Sequence, residues 1–309
     1  MIGIVALLLI ITGAIFLFIP ENIAVSSEIA TVSSIGSVQS VMGNSNYRTK
    51  WLPKEGKIVS PTTYKLDGCT YFFGTDNSMN NNITIHYKNI NAASLFTLIT
   101  AGDDSVIVNW ILNKQSGYNP FNRISYYFSL KHIKKTNEKI LLAIQAFLSS
   151  KKNVYDFNIS QHLQTDSTLI TLKGFSAKYP TVEDIYKNIE KLKQYAAANA
   201  ANTTNAPMLN IEYDGTGKWL YMVALPIDKA LNDKGDIIAK RMFAGGKILI
   251  TEPITGGFAV NSNALQNLEK YKTDYGYMSP AIPFQSLITD RIKEKDTTRW
   301  KTKLYYPVY

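Results

Sequence analysis

Two stretches of the C-terminal half carry one pattern, and such an internal repeat restricts the possible folds more than any other feature of the chain. Trp219-Leu-Tyr-Met-Val-Ala-Leu-Pro226-Ile227 and Trp300-Lys-Thr-Lys-Leu-Tyr-Tyr-Pro307-Val308 share the spacing W-x6-P-[IV]. Upstream of each, Ile189, Leu192 and Tyr195, then Leu265, Leu268 and Tyr271, fall at i, i+3 and i+6, a helical spacing. The first helix opens at Thr181 with Asp184 three residues on, which resembles a capping box. Each half therefore reads strand, helix, strand, strand. The first comprises 169–175, 181–198, 208–213 and 219–227. The second comprises 237–243 with 247–251, then 261–275, 283–290 and 300–308. A doubled β-α-β-β unit predicts two sheets meeting about a pseudo-two-fold axis, with helices on one face and a groove on the other. A concave groove of that kind is the default place to expect a small ligand.

The chain has 309 residues, which leaves room for a second domain and an extra segment. From Ile2 to Pro20 there is no charged residue, and about 20 residues at ~1.5 Å rise would span the ~30 Å core of a bilayer. No A-x-A-like site follows, so the reading is an uncleaved single-pass anchor over residues 1–21 rather than a signal peptide. That expectation makes the membrane a partner and places the bulk of the chain outside the cytoplasm. Arg48 is the first basic residue, so the positive-inside rule has little to count.

Residues 22–153 read differently. A strand at 23–29 is followed by strand candidates at 64–73, 83–88, 94–100 and 105–112, separated by Gly, Asn and Asp clusters, the pattern of an antiparallel meander. Asn119-Pro120 then supplies an N-cap and a proline for the first helical position. Ile140, Ile144, Phe147 and Leu148 form the stripe of a long helix, and Trp110 and Phe147 are expected in the core.

Composition removes several classes of function. The net charge of +9 is spread along the chain, with no basic stripe and no helix-turn-helix or RNP pattern, so nucleic acid is not an expected partner. A lone cysteine, Cys69, excludes an internal disulfide, and its apolar surroundings predict a buried structural thiol. His86, His132 and His162 lack ligand spacing, so no metal is expected. There is no GxSxG, HExxH, P-loop or GxGxxG motif, and no cofactor is expected.

Two resemblances sharpen this picture. The element order of the first domain, with Trp51-Leu52-Pro53 and Asn119-Pro120-Phe121-Asn122-Arg123, resembles the SRPBCC (START-like, polyketide-cyclase-like) family. That implies a helix-grip fold over residues 22–153, whose cavity holds hydrophobic ligands in many relatives. Leu225-Pro226-Ile227, Ala244-Gly245-Gly246-Lys247, Leu287-Ile288-Thr289-Asp290 and the terminal Arg299-Trp300-Lys301-Thr302-Lys303-Leu304-Tyr305-Tyr306-Pro307-Val308 resemble the GyrI-like effector-binding domain over residues 154–309. Such domains bind amphipathic, often cationic and aromatic molecules, and a few are hydrolases. Where the family usually shows a tryptophan-glutamate pair, this chain has Phe284 and Gln285. Glutamine keeps the shape but carries no charge and cannot take a proton. Glu212 and Glu252 are the acids that could compensate, although Glu212 reads as a solvated strand end.

The candidate ligand-binding residues are Tyr221, Phe243, Phe284, Gln285, Trp300 and Tyr306, with Trp300 and Tyr306 on one strand face by the period of two. The expected fold class is α+β: an N-terminal transmembrane helix, a helix-grip domain, and a duplicated β-α-β-β, GyrI-like domain. The expected function is a membrane-anchored, non-catalytic binder or sensor of a small amphipathic or hydrophobic ligand. The alternatives are a lipid-handling or scaffold protein at the membrane surface and a small-molecule hydrolase.

Overall fold

The computed structural model describes the chain apart from residues 1, 75–81, 103, 166, 243 and 280. It divides into two compact units, Met1–Ser150 and Lys151–Tyr309.

The first helix, α1 (Ile2–Phe18), has 17 residues, which at 1.5 Å per residue reach about 25 Å, short of a ~30 Å bilayer core. Pro20 sets that limit, because a residue preceding proline is biased out of the α region; Ile19 and Pro20 lie outside the helix. Arg123 holds the end, donating to Ile19 O at 2.8 Å with its guanidinium 4.4 Å from the Phe16 ring. A cation there satisfies an open carbonyl and opposes the helix dipole. Among the described residues no helix is long and apolar enough to cross a membrane. The expected transmembrane anchor is therefore overturned, and with it the membrane localisation; the membrane as partner is left without support. The fold class is corrected to an α+β chain with two antiparallel sheets.

The rest of the first unit runs β1 (Asn22–Thr31), α2 (Ile35–Gly43), α3 (Ser45–Trp51), β2 (Lys57–Ser60), β3 (Thr63–Leu66), β4 (Cys69–Phe73), β5 (Asn82–Tyr87), β6 (Ile90–Gly102), β7 (Ser105–Gln115) and α4 (Pro120–Leu148). The strands form one sheet in the order β1-β7-β6-β5-β4-β3-β2. The strand expected across 64–73 is a hairpin: Asp67 and Gly68 take φ of +49° and +78°, the left-handed pair of a two-residue hairpin turn. Asn119 caps α4 by accepting from Phe121 N and Asn122 N. Ile133, Ile140 and Ile144 of α4 are fully buried.

Aromatic side chains fill this core. Trp110 lies 4.4 Å from Phe96 and 5.8 Å from Tyr71 between ring centroids. Its Nε1 donates to Ser94 Oγ at 2.9 Å, and Tyr71 donates to Asn137 Oδ1 at 3.0 Å. Cys69 is buried, and burial pushes its thiol up. The opening beside Arg48 and Tyr64 has a volume of about 10 Å³, room for at most one water.

The second unit comprises α5 (Lys151–Tyr155), β8 (Ile159–Leu163), β9 (Ser167–Ser176), α6 (Val182–Ala198), β10 (Met208–Tyr213), β11 (Trp219–Ile227), β12 (Ile238–Met242), β13 (Lys247–Thr251), β14 (Ile254–Thr255), α7 (Phe258–Asp274), β15 (Phe284–Leu287) and β16 (Lys301–Val308). The sheet order is β12-β9-β11-β10-β15-β16-β13-β8, with β14 on β16. It reads alike from either end about the β10–β15 pair. Each outermost strand comes from the other half: β8 precedes β9 but pairs with β13, and β12 precedes β13 but pairs with β9. Thr181 and Asp184 form the capping box of α6. Ile185, Ile189 and Leu192 of α6 pack on Ile170, Leu172, Val223 and Leu225, one face of β9 and β11.

Candidate functional site

Strand register sorts the side chains of the second sheet into two faces. Val223, Leu225 and Leu209 lie in the core under α6. Leu209 pairs with Gln285, which pairs with Leu304, so alternate residues from these positions share the helix-covered face. Met222, Ala224, Met208 and Phe284 fall on the opposite, open face.

Four of the candidate residues belong to the covered face. Tyr221 packs in the α6 core, and its ring lies over Gly174, its register partner. A Cβ at 174 would come within 2.1 Å of the ring. Burial raises the Tyr221 phenol. Tyr306 meets α7, where Lys272 Nζ lies 3.4 Å from its hydroxyl and pairs with Glu269 at 2.6 Å. Trp300 donates from Nε1 to Glu294 O at 2.9 Å. Its ring packs 5.6 Å from Phe258 and 4.8 Å from the Arg291 guanidinium. Gln285 is 9% exposed, and its buried Oε1 has no hydrogen-bond partner among the described residues. Among the described candidates Phe284 is the one on the open face, stacked on Tyr305 at 4.9 Å with the rings 3° from parallel. Phe243 lies outside the described residues.

The open face holds a groove of about 230 Å³. Leu169 and Thr171 come from β9, Met208 and Asn210 from β10, Met222 and Ala224 from β11, and Lys240 and Met242 from β12; Ala281, Ile282, Phe284 and Pro307 close the far side. Alternation on four neighbouring strands places these side chains together. Three of the seven methionines of the chain line it, and thioethers on unbranched stems adapt to apolar ligands and favour contact with aromatic rings. The polar lining is largely committed to backbone. Thr171 donates to Ile238 O at 3.0 Å and Asn210 Nδ2 donates to Pro283 O at 2.9 Å. The period of two on 208–213 and 219–227 sets Met208 and Met222 apart from the aliphatic face, which is the sequence signal that marks them.

A second concavity, about 330 Å³, lies between α7 and the β13–β14 segment, with Asp156 and Glu252 in its wall. Both carboxylates are engaged: Asn267 Nδ2 donates to Asp156 at 2.9 Å and Asn158 Nδ2 donates to Glu252 at 3.1 Å. Among the described residues no cluster could hold a metal ion. The structure brings Ser160 Oγ and His162 Nε2 to 2.9 Å on β8, an edge strand. Both residues are exposed, and no carboxylate orients the imidazole among the described residues. A nucleophile needs an oriented base and a water-excluding site; this pair has neither.

No family model matches the chain, and no curated protein is significantly similar to it. Among solved structures, the C-terminal domain of EcmrR aligns with 50% of this chain and 98% of its own at 17% identity and a TM-score of 0.41. A START superfamily protein from Mycobacterium smegmatis aligns with 38% of this chain and 96% of its own at 16% identity and a TM-score of 0.25. The di-domain ARO/CYC BexL aligns with 93% of this chain and 85% of its own at 8% identity and a TM-score of 0.34. At such scores none of these neighbours assigns a fold or a family.

Proposed function

We propose that the second unit is a binding module for a small amphipathic or aromatic molecule, seated in the groove on the open face of its sheet. The observation that carries this reading is the groove itself. Met208, Met222, Met242 and Phe284 converge on one apolar hollow, with two committed polar groups and one ammonium at its margin. Apolar concavities with a few placed polar groups are the usual form of small-molecule sites. At about 230 Å³ it is smaller than the ~300–1,000 Å³ of drug-sized pockets, so the occupant is a compact body of one or two rings, partly outside the wall. The reading is non-catalytic, because the exposed Ser160–His162 pair lies on another strand edge and, among the described residues, no acid stands behind the imidazole.

The test titrates the full chain with 2-naphthylmethanol, followed by naphthalene fluorescence. Ala224→Trp places an indole in the groove floor and is expected to weaken binding about tenfold or more, a loss of at least ~1.4 kcal/mol. Met242→Trp, on an edge strand, gives the same test at a position less demanding of the fold. Undiminished affinity in both folded variants would remove the groove as the site.

A further inference from the structure

Resting on the groove reading above, we infer that its ligand is a small amphipathic anion, with its apolar body on Met208, Met222, Met242 and Phe284 and its carboxylate or sulfonate at Lys240. Among the described residues Lys240 is the one charged residue in the groove wall, and no acidic side chain lines it. Its Nζ lies 3.8 Å from Met222 Sδ, so the ammonium leans over the apolar hollow. Among the described residues no carboxylate pairs with it. Neighbouring charge on the same face has the same sign: Lys173 is the register partner of Met222 and Lys303 that of Ser286. Among the described strand residues of this face the acid is Glu212, beyond the lining, opposite Leu220. A cationic ligand would bring a second positive charge against Lys240 with no counter-ion in the wall. An anion meets an ammonium beside an apolar surface, where water competes less for the pair.

The experiment compares three probes of one size, 2-naphthoate, 2-naphthylmethanol and 2-naphthylmethylammonium, on the full chain at neutral pH and low salt. The expected order is carboxylate, then alcohol, then ammonium, with about fivefold or more between the ends of the series, a modest factor because Lys240 is solvated. Salt should compress the order, since a partly exposed pair is screened. Lys240→Met, which keeps the apolar stem, should abolish it, and Lys240→Glu should reverse it. If all three probes bind and Ala224→Trp weakens all three, but the ammonium binds as well as the carboxylate or Lys240→Met leaves the order intact, the anion assignment is wrong and the groove stands. If no probe binds, or the groove-filling variants leave all three affinities unchanged, the groove reading falls and takes this inference with it.

Discussion

Buried polar groups in the second unit show how single residues are accommodated. Arg291 is 2% exposed and has no carboxylate partner among the described residues. Its guanidinium lies 5.1 Å from Phe258 and 4.8 Å from Trp300, and Nη2 donates to Thr302 Oγ1 at 2.9 Å. Two ring faces offset part of the desolvation of a cation, and burial still lowers its affinity for the proton. Trp300 therefore has a structural partner that accounts for its burial without a ligand. Asp184 shows the opposite case. Hydrogen bonds from Thr181 Oγ1 and N hold its carboxyl below the ordinary range. A carboxyl whose folded value is depressed stabilises the fold above its unfolded value and loses that contribution as pH falls through the folded one. Asp184→Asn is accordingly expected to be less stable than the parent at pH 7. Urea titrations should show the gap closing below about pH 4; a gap independent of pH would contradict the charged cap.

At the scale of elements, much was legible where the signal is local. The Thr181 cap, the Asn119-Pro120 start and the helical stripes depend on contacts within one turn of chain, and residues close in sequence report them. Other features depend on partners far away. The exchange of β8 and β12 between the two halves has no local signature, because either strand could pair with either edge by its own pattern. The face of each strand is legible: in 219–227 the residues at 223, 225 and 227 are Val, Leu and Ile, so the parity that includes Tyr221 belongs under a helix. Tyr221, Gln285, Trp300 and Tyr306 share that covered face, and neither aromatic character nor the resemblance at Gln285 reports which face a helix covers. The 2–20 apolar run includes Ile19 and Pro20, which lie beyond the end of the helix. The end of α6 yields a prediction of its own. Ala200 takes φ of +52°, and Ala201 N closes the end by donating to Ala196 O at 2.9 Å. A side chain in that region costs about 1 kcal/mol relative to glycine. Ala200→Gly should therefore raise stability by about 0.5–1 kcal/mol, seen as a higher urea midpoint at unchanged slope. A lower midpoint would mean that the helix end is not held in this conformation.

For the molecule as a whole, each unit closes its own sheet with helices, but the two differ in what they leave open. In the first, Trp110, Tyr71, Tyr64 and Phe96 occupy the space beneath α4, and their polar atoms are satisfied within the core. In the second, both long helices lie on one face of the sheet, which leaves the other face to form the methionine-lined groove. The central claim is that a small amphipathic molecule binds there, and the labelled methionine methyl groups of the full chain can report it directly. Titration with 2-naphthoate, followed by methyl carbon-proton correlation spectra, should move Met208, Met222 and Met242 together along one saturable curve. Met42, buried in the first unit, should stay in place. Shifts at Met42 with the three groove methionines unmoved, or no saturable shift at any of the three, would contradict the account.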